Sequence, residues 1–210
     1  MAIPVEVPGL DNLIPELRDG QVILVESGAD SAKSFFVRRL GLTSLRLGKP
    51  VTFLISRDRQ ELYQLMKREG GASIPQYDER LEVREETALP ELDGVAERKG
   101  LLAIDSFSFL TLDLTPARMA EVLRDLRGKC QRSGTTVVLA TDRGMFDPRA
   151  EAIAIHLADG FLQFQAREGS EGVVRYLRIP KWSEGKFFDR NIYYEFDGAR
   201  LAIDLRNRVL

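Results

Sequence analysis

A lysine and a serine stand side by side where a predicted strand is followed by a predicted helix. The stretch consists of Ser27, Gly28, Ala29, Asp30, Ser31, Ala32, Lys33 and Ser34. Between a strand and a helix, the backbone N–H groups of the loop and of the helix N-terminus favour an anion. The lysine could then contact the terminal phosphates of a nucleotide, and the serine hydroxyl could bind Mg²⁺. The spacing resembles the phosphate-loop pattern G-x-x-x-x-G-K-[ST].

Three residues of this stretch depart from that pattern. Ser27 and Ala32 replace its glycines, and a Cβ at a position that needs φ > 0 costs about 1–2 kcal/mol. If the Asp30 carboxylate pointed into the loop, it would oppose a phosphate ~4 Å away by about 4 kcal/mol at an effective dielectric constant near 20. If it capped the following helix, most of that penalty would vanish. The residues alone leave two interpretations, a nucleotide site and an ordinary strand–helix turn.

Strands and helices alternate through the first two thirds of the chain. Short apolar runs without polar alternation predict strands buried on both faces, and they cover residues 22–25, 51–55, 101–104 and 136–140. Helical patterns cover residues 33–47, 59–69 and 116–133. The last of these has an apolar face of Met119, Val122, Leu123, Leu126 and Cys130. The alternation predicts an α/β fold with a parallel sheet built from right-handed crossovers.

The pattern changes after about residue 160. Side chains there alternate in character, and Glu-Gly and Asp-Gly turn signals separate the runs, which predicts antiparallel hairpins at the end of the sheet. We find no internal repeat of solenoid length and no low-complexity linker. Residues 1–210 are therefore predicted to form a single domain.

Composition restricts the class of protein. The chain of 210 residues is 44% hydrophobic and 30% charged, as expected of a globular domain, and no run reaches the ~18 apolar residues of a membrane helix. One cysteine excludes a disulfide within the chain, and the first residues lack the pattern of a secretory signal, so a cytoplasmic location is predicted. The net charge of −2 provides no global attraction for nucleic acids.

Six segments occur in a fixed order along the chain. They are VPGLDNL (7–13), GKPVTFLIS (48–56), LLAIDSFSFL (101–110), HLADGFLQF (156–164), RYLRIPKW (175–182) and DRNIYYEF (189–196). Together with the phosphate loop they resemble the KaiC and RadA branch of the RecA-superfamily P-loop ATPases, with degenerate Walker motifs. The resemblance covers nearly the whole chain. It implies a RecA-like three-layer α/β fold with a mainly parallel central sheet and C-terminal antiparallel hairpins.

The resemblance also implies roles for individual residues. Residues 27–34 would form the nucleotide-binding loop, with Lys33 at the β- and γ-phosphates. Ser34 and Asp105 would hold the Mg²⁺ of Mg-ATP, Asp105 through water. Lys181 would reach the nucleotide of a neighbouring subunit in a ring.

Other positions differ from the family. The family places two adjacent glutamates after its second strand, one of which positions the attacking water, and Arg57 and Asp58 stand there. Arginine stays charged and cannot accept a proton. Asp58 is one methylene shorter than Glu, and a ~1 Å misplacement can cost about a hundredfold in rate, so Asp58 is only a weak catalytic candidate. Ser183 replaces an arginine that would follow Lys181.

Two further residues could take part in such a site. Lys186 could substitute for the missing arginine if its loop were suitably placed, and Thr141, at the end of a predicted strand, could sense the terminal phosphate. For both, an ordinary structural role is the alternative. Lys181 has the same alternative, as an exposed charge on a hairpin.

Taken together, the departures from the family affect residues needed for nucleotide hydrolysis more than residues needed for the fold. The sequence predicts a catalytically impaired pseudo-ATPase that acts as a binding, scaffold or regulatory subunit, with protein partners, in a ring-like homo- or hetero-oligomer. The alternative is a weak Mg-ATP-binding ATPase of the KaiC and RadA type, acting with DNA or RNA through residues 142–149, where two arginines are balanced by two aspartates. Cys130 is predicted to be a core thiol and His156 an ordinary helix residue.

Overall fold

The chain contributes strands to two sheets. This computed structural model describes residues 2–28, 32–70, 79–92, 94, 96–169, 172–183 and 188–203. The first six strands are β1 (Ile3–Pro4), β2 (Glu16–Leu17), β3 (Val22–Ser27), β4 (Val51–Ile55), β5 (Leu81–Glu85) and β6 (Leu101–Asp105). They are followed by β7 (Thr136–Asp142), β8 (Gly160–Gly169), β9 (Gly172–Lys181), β10 (Phe188–Phe196) and β11 (Leu201–Ile203). β1 and β2 form a small antiparallel pair by themselves.

The other nine strands form the central sheet, in the order β11-β10-β9-β8-β3-β7-β6-β4-β5. All pairs from β8 to β5 in this order are parallel, whereas β8, β9, β10 and β11 pair antiparallel. Every residue of β3, β4 and β6 is buried. The prediction of a mainly parallel α/β sheet that ends in antiparallel hairpins is confirmed.

Helices cover both faces of this sheet. They are α1 (Ala32–Arg46), α2 (Arg59–Gly70), α3 (Phe107–Leu110), α4 (Pro116–Ser133) and α5 (Pro148–Leu157). One apolar cluster joins α1 and α2 to one face, and a second cluster joins α3, α4 and α5 to the other. Alternate residues of a strand belong to different clusters, as with Val22 and Ile23, because successive side chains point to opposite faces. The result is the predicted three-layer arrangement.

The local sequence explains the bounds of α4. The Thr115 hydroxyl accepts a hydrogen bond from the Arg118 N–H at 3.3 Å, and Pro116 occupies the first turn, a position where its missing N–H costs nothing. Gly134, with φ 76°, ends the helix, in the left-handed conformation that glycine adopts without strain. The observed helix has the predicted bounds. Of the predicted apolar face, Val122 is only partly buried.

Three short elements were not predicted with defined bounds. β1, β2 and α3 contain two, two and four residues, too few for a periodic pattern to show. β5 lies at the edge of the sheet with side chains only partly buried, so it lacks the continuous apolar run of the central strands. Among the residues that the structure describes, no helix has the length and apolar character required to cross a membrane.

Candidate functional site

The candidate site lies where the carboxyl ends of parallel strands meet the N-terminus of α1. In open α/β sheets this edge is where ligands bind. Lys33 and Ser34 lie in the first turn of α1 and are 4% and 8% exposed. Ser27 ends β3, and its hydroxyl donates to the Gly28 carbonyl at 3.0 Å. Ala29, Asp30 and Ser31 lie outside the described residues.

The structure describes the surroundings of two small residues of the predicted loop, Gly28 and Ala32. A Cβ added to Gly28 would meet no atom within 4 Å, so space does not require glycine at this position. Ala32 is fully buried and is the first residue of α1. The surroundings of Gly28 and Ala32 do not distinguish a nucleotide-binding loop from an ordinary strand–helix turn, and the nucleotide-binding role of residues 27–34 stays a prediction.

Lys33 makes two contacts with the end of β7. Its ammonium donates to the Asp142 carboxylate at 2.6 Å and to the Thr141 carbonyl at 3.1 Å. β7 lies next to β3 in the sheet, which brings its last residues beside the start of α1. The lysine predicted to contact phosphates thus has a carboxylate partner within its own chain.

Asp142 is held in turn by Ser108 of α3. The Ser108 hydroxyl donates to the second carboxylate oxygen of Asp142 at 3.3 Å and accepts from the Asp142 N–H at 3.0 Å. Ser108 is fully buried. The three residues Lys33, Asp142 and Ser108 form one connected polar group, called the lysine cluster below.

Asp105, the predicted metal ligand, has two partners among the residues that the structure describes. The Ser34 hydroxyl donates to one of its carboxylate oxygens at 3.4 Å. The Arg57 guanidinium lies 3.3 Å from the other oxygen. Asp105 is 2% exposed, so the guanidinium is its nearby compensating charge among the described residues. The structure brings together the predicted pair Ser34 and Asp105 and adds Arg57.

The donor set around Asp105 can be compared with that of a Mg²⁺ site. Mg²⁺ takes oxygen ligands and keeps several waters, and Ser34 and Asp105 supply suitable oxygens. The Arg57 guanidinium, however, would place a like charge beside the metal. Among the described residues no group of three or more His, Cys, Asp or Glu side chains could hold a metal ion. Without the phosphates of a nucleotide, these residues do not fit a resident Mg²⁺, and the role of Ser34 and Asp105 in holding the metal of Mg-ATP stays a prediction.

Asp58 and Thr141 contact backbone groups. The Asp58 carboxylate accepts from the Gln60 N–H at 2.6 Å, at the beginning of α2. This contact favours the interpretation of Asp58 as a helix-opening residue. The buried Thr141 hydroxyl donates to the Val25 carbonyl at 3.5 Å. The catalytic role of Asp58 and the sensor role of Thr141 stay predictions.

Lys181 lies at the end of β9 and contacts α5. Its ammonium donates to the carbonyls of Ile155 and His156 at 3.0 and 2.6 Å. A cation at this end of a helix is favoured by the unpaired carbonyls and the helix dipole. Burial lowers the pKa of Lys181, an effect that nearby Asp159 opposes. The predicted contact with a neighbouring subunit stays a prediction.

Two other predictions concern the same region. The Ser183 hydroxyl accepts from the Gln21 side-chain amide at 2.6 Å, which connects the chain after β9 to the residue before β3. Lys186 lies outside the described residues.

Glu26 is a buried acid next to the loop that sequence reasoning missed. It is 4% exposed and accepts a hydrogen bond from the Gln163 amide at 3.1 Å. Burial raises the pKa of its carboxyl, and the Glu151 carboxylate acts in the same direction. An acidic residue inside a run of buried aliphatic residues was the available signal, because such residues are seldom buried without a partner.

Comparison with known proteins identifies the fold. No family model matches the sequence, and no curated protein matches it. A KaiC-like protein from the archaeon Pyrococcus horikoshii OT3 is 20% identical, with a TM-score of 0.76 over 97% of this chain and 99% of that chain. The flagellar accessory protein FlaH from Methanocaldococcus jannaschii is 13% identical, with a TM-score of 0.80 over 97% of this chain and 98% of that chain.

These likenesses extend over nearly the full length of both neighbours. They confirm the predicted RecA-like fold with its parallel sheet and C-terminal antiparallel strands. At these identities the likeness concerns the fold, and function depends on the residues at the site.

Proposed function

We propose that this chain is a KaiC-like pseudo-ATPase of the RecA superfamily, acting as a binding, scaffold or regulatory subunit in an oligomer. The observation that carries the proposal is the ion pair between Arg57 and Asp105, with 3.3 Å between the guanidinium and the carboxylate. Arg57 stands at a position where the resemblance implies a water-positioning glutamate. The site therefore has a permanent cation in place of a proton acceptor.

Hydrolysis of a nucleotide needs a group within hydrogen-bond reach that positions the attacking water, and the glutamate of the family could also accept its proton. The Arg57 guanidinium stays protonated at neutral pH and donates only. Asp58 is exposed, and its carboxylate accepts from the backbone of α2. Neither residue is suited to act as the base.

The ion pair also opposes metal binding. Asp105 is buried and the Arg57 side chain is 34% exposed, so the guanidinium neutralises the carboxylate from the solvent side. A divalent ion would have to displace Arg57 or tolerate its charge. Loss of the metal would remove the charge stabilisation on which phosphoryl transfer depends.

The proposed role as a binding, scaffold or regulatory subunit rests on the RecA-like fold, which the chain retains. Among the described residues it keeps the nine-stranded central sheet and an apolar cluster on each of its faces. FlaH, whose fold this chain shares, is described as an accessory protein, which supports an accessory role for this chain as well. Protein partners are the proposed ligands of such a subunit.

A turnover assay tests the proposal. Phosphate release from Mg-ATP by wild type is expected to equal that of Lys33→Ala, because neither protein has a competent base. Light scattering on the same sample is expected to give a mass above that of the 23.7 kDa chain. Turnover by wild type that is lost in Lys33→Ala would refute the pseudo-ATPase assignment, and a monomeric mass would refute a homo-oligomer.

One observation favours a second function, a weak Mg-ATP-binding ATPase. Ser34 and Asp105 keep a hydrogen bond of 3.4 Å, and these are the residue types that hold Mg²⁺ in phosphate-loop enzymes. This function requires that millimolar Mg-ATP raise the melting temperature of wild type. An unchanged melting temperature would count against it. DNA or RNA as a partner stays a part of this alternative.

A further inference from the structure

The lysine cluster contains an anion that belongs to the chain itself. The Lys33 ammonium and the Asp142 carboxylate are 2.6 Å apart, which is close even for a charge-assisted hydrogen bond. The Thr141 carbonyl takes a second hydrogen bond from the same ammonium. Lys33, the residue for which the resemblance implies contact with phosphate, is therefore engaged by a carboxylate of its own chain.

The two partners of this ion pair differ in exposure. The Lys33 side chain is 5% exposed, whereas the Asp142 side chain is 37% exposed. A buried ammonium that loses its counter-ion is strongly disfavoured. A half-exposed carboxylate can instead be solvated. Asp142 is the partner that can leave, and Lys33 then requires another anion.

Ser108 fixes the direction of the carboxylate. It makes two hydrogen bonds to Asp142, one to a side-chain oxygen and one from the backbone N–H. α3, which carries Ser108, begins directly after Ser106, whose φ of 71° is unusual for a residue with a side chain. The carboxylate is thus oriented toward Lys33 from a second element and not only by its own strand.

We propose that Asp142 is an internal ligand of Lys33 that takes the place of a phosphoryl group and keeps phosphorylated ligands out of the site. The excluded class is the polyphosphate anion, such as pyrophosphate or the phosphates of a nucleotide. The inference rests on the proposed function, since a working ATPase would need Lys33 to be available. The inference adds to the proposed function that Asp142 determines whether a polyphosphate anion can bind next to Lys33.

Removing the charge of Asp142 tests this directly. In Asp142→Asn the buried ammonium lacks its carboxylate, so an added anion can take that place. Pyrophosphate titrated in a calorimeter, with EDTA present, is expected to bind Asp142→Asn about ten- to a hundredfold more tightly than wild type, as removal of a close, partly screened charge predicts. Pyrophosphate is also expected to raise the melting temperature of the variant more than that of wild type.

Two controls separate this effect from a general change in charge. Asp113→Asn removes a charge from an exposed aspartate that is not among the described partners of Lys33, and it is expected to bind pyrophosphate as wild type does. The double variant Lys33→Met, Asp142→Asn is expected to lose the gain. A gain of similar size in Asp113→Asn, or its persistence without Lys33, would overturn the proposal.

A second variant keeps the test decisive if Asp142→Asn does not fold. Ser108→Ala leaves both charges in place but removes the hydroxyl that orients the carboxylate, so pyrophosphate affinity between those of wild type and Asp142→Asn is expected. Equal affinity in wild type and in every foldable variant would overturn the inference. ATP turnover measured on the same samples reports on the proposed function separately. Turnover by wild type would refute the pseudo-ATPase, whereas absent turnover with no gain in pyrophosphate binding would refute only the role of Asp142.

Discussion

Arg57 and Asp105 meet because their strands are neighbours in register. Ile55, the last residue of β4, is paired with Asp105, the last residue of β6. Arg57 lies two residues further along, and its guanidinium reaches back to the carboxylate at 3.3 Å. The sheet thus brings a residue from the predicted water-positioning segment to the predicted metal ligand.

Removal of Arg57 is expected to destabilise the protein through Asp105. In Arg57→Gln the buried carboxylate keeps the Ser34 hydrogen bond but loses its cation, and because the arginine is partly exposed we expect a loss of about 1–2 kcal/mol in the free energy of unfolding. Mn²⁺ or Mg²⁺ is expected to raise the melting temperature of Arg57→Gln and not that of wild type, because the metal can replace the missing charge.

The matched control for this change is Arg59→Gln. Arg59 pairs with Glu85 at 2.9 Å, and both side chains are about half exposed at 54% and 43%, so the variant is expected to show no response to divalent ions. An equal thermal response to metal in wild type and Arg57→Gln would contradict the idea that Arg57 occupies the metal position.

Arg38 and Glu69 form a buried ion pair that joins α1 to α2. The Arg38 Nε donates to both carboxylate oxygens at 2.9 and 3.1 Å, and the side chains are 5% and 2% exposed. In Arg38→Met the carboxylate would be left buried without its partner, at a cost of about 3–5 kcal/mol. The double variant Arg38→Met, Glu69→Leu is expected to recover most of that loss. Urea unfolding measures both.

The pH dependence of Arg38→Met has a definite sign. Burial raises the pKa of Glu69 even with Arg38 present, because desolvation of the carboxylate outweighs the hydrogen bonds and the charge of that arginine. An acid whose folded-state pKa is raised loses stability as the pH rises through that pKa. Without Arg38 the pKa rises further, so the deficit of the variant relative to wild type is expected to be largest at neutral pH and smaller at pH ~5. A deficit independent of pH would show that lost packing, and not charge, causes it.

Glu26 provides a second pH-dependent test. Burial raises the pKa of its carboxyl, and the Glu151 carboxylate adds to that effect. Stability is therefore lost as the pH rises from the unfolded pKa of about 4.3 through the higher folded one. Glu26→Gln stays neutral and can still accept the hydrogen bond from Gln163. We expect the variant to melt at a higher temperature than wild type at pH ~7, with the two curves converging near pH 4.

The control for Glu26 is Glu85, whose pKa is shifted in the opposite direction. The Arg59 backbone and side chain, which donate hydrogen bonds to Glu85, lower the pKa of that exposed carboxyl. Its contribution is present above the unfolded pKa and is lost on acidification. Glu85→Gln should therefore be less stable than wild type at neutral pH, with the difference closing toward low pH. A stabilising effect in both variants at neutral pH would mean that general charge, and not burial of Glu26, is responsible.

The apolar strands and the long helices could be predicted from the sequence because their signals are local. α4 has a capping threonine, a proline in its first turn and a terminating glycine within its own sequence. The continuous burial of β3 and β6 likewise follows from runs of aliphatic residues. Lys33 and Ser34 could be identified because they lie at the start of the predicted helix α1, and Asp105 because it ends the predicted strand β6.

The contacts of Asp142 and Ser108 in the lysine cluster could not be predicted from local sequence signals, because they depend on the order of strands in the sheet. β3 and β7 are neighbours although three parallel strands of the sheet, β4, β5 and β6, lie between them in the sequence. No periodic pattern encodes that adjacency. α3 is a single turn of four residues, too short to be recognised from periodicity. A rule that examines polar residues at the ends of all buried strands would have included Asp142.

Cys130 is expected to be unreactive in the folded protein. It is fully buried on α4, and burial raises the pKa of its thiol to about 12, with Asp159 acting in the same direction. Since the thiolate is the reactive form, labelling with a thiol reagent at pH ~8 should proceed only as fast as the protein opens. Labelling in a few molar urea is expected to accelerate in step with unfolding. Rapid labelling of the native protein would contradict the buried position.

The Lys181 side chain has two candidate roles, capping the end of α5 in its own chain and contacting a neighbouring subunit. In this structure its ammonium donates to the Ile155 and His156 carbonyls at the end of α5. Lys181→Met keeps much of the side-chain volume but removes these bonds, so we expect a loss of about 1 kcal/mol in the free energy of unfolding. Arg118→Gln is the control, because it removes only an exposed pair with Glu121 and is expected to cost less than about 0.5 kcal/mol.

The subunit mass separates the two roles of Lys181. If its main contact is with α5 of the same chain, Lys181→Met lowers the melting temperature while the mass measured by light scattering at equal protein concentration stays that of wild type. If the lysine instead contacts a neighbouring subunit, the variant dissociates on dilution at concentrations where wild type and Arg118→Gln remain associated. The second result would contradict the capping role, because a bond within one chain has no direct effect on association.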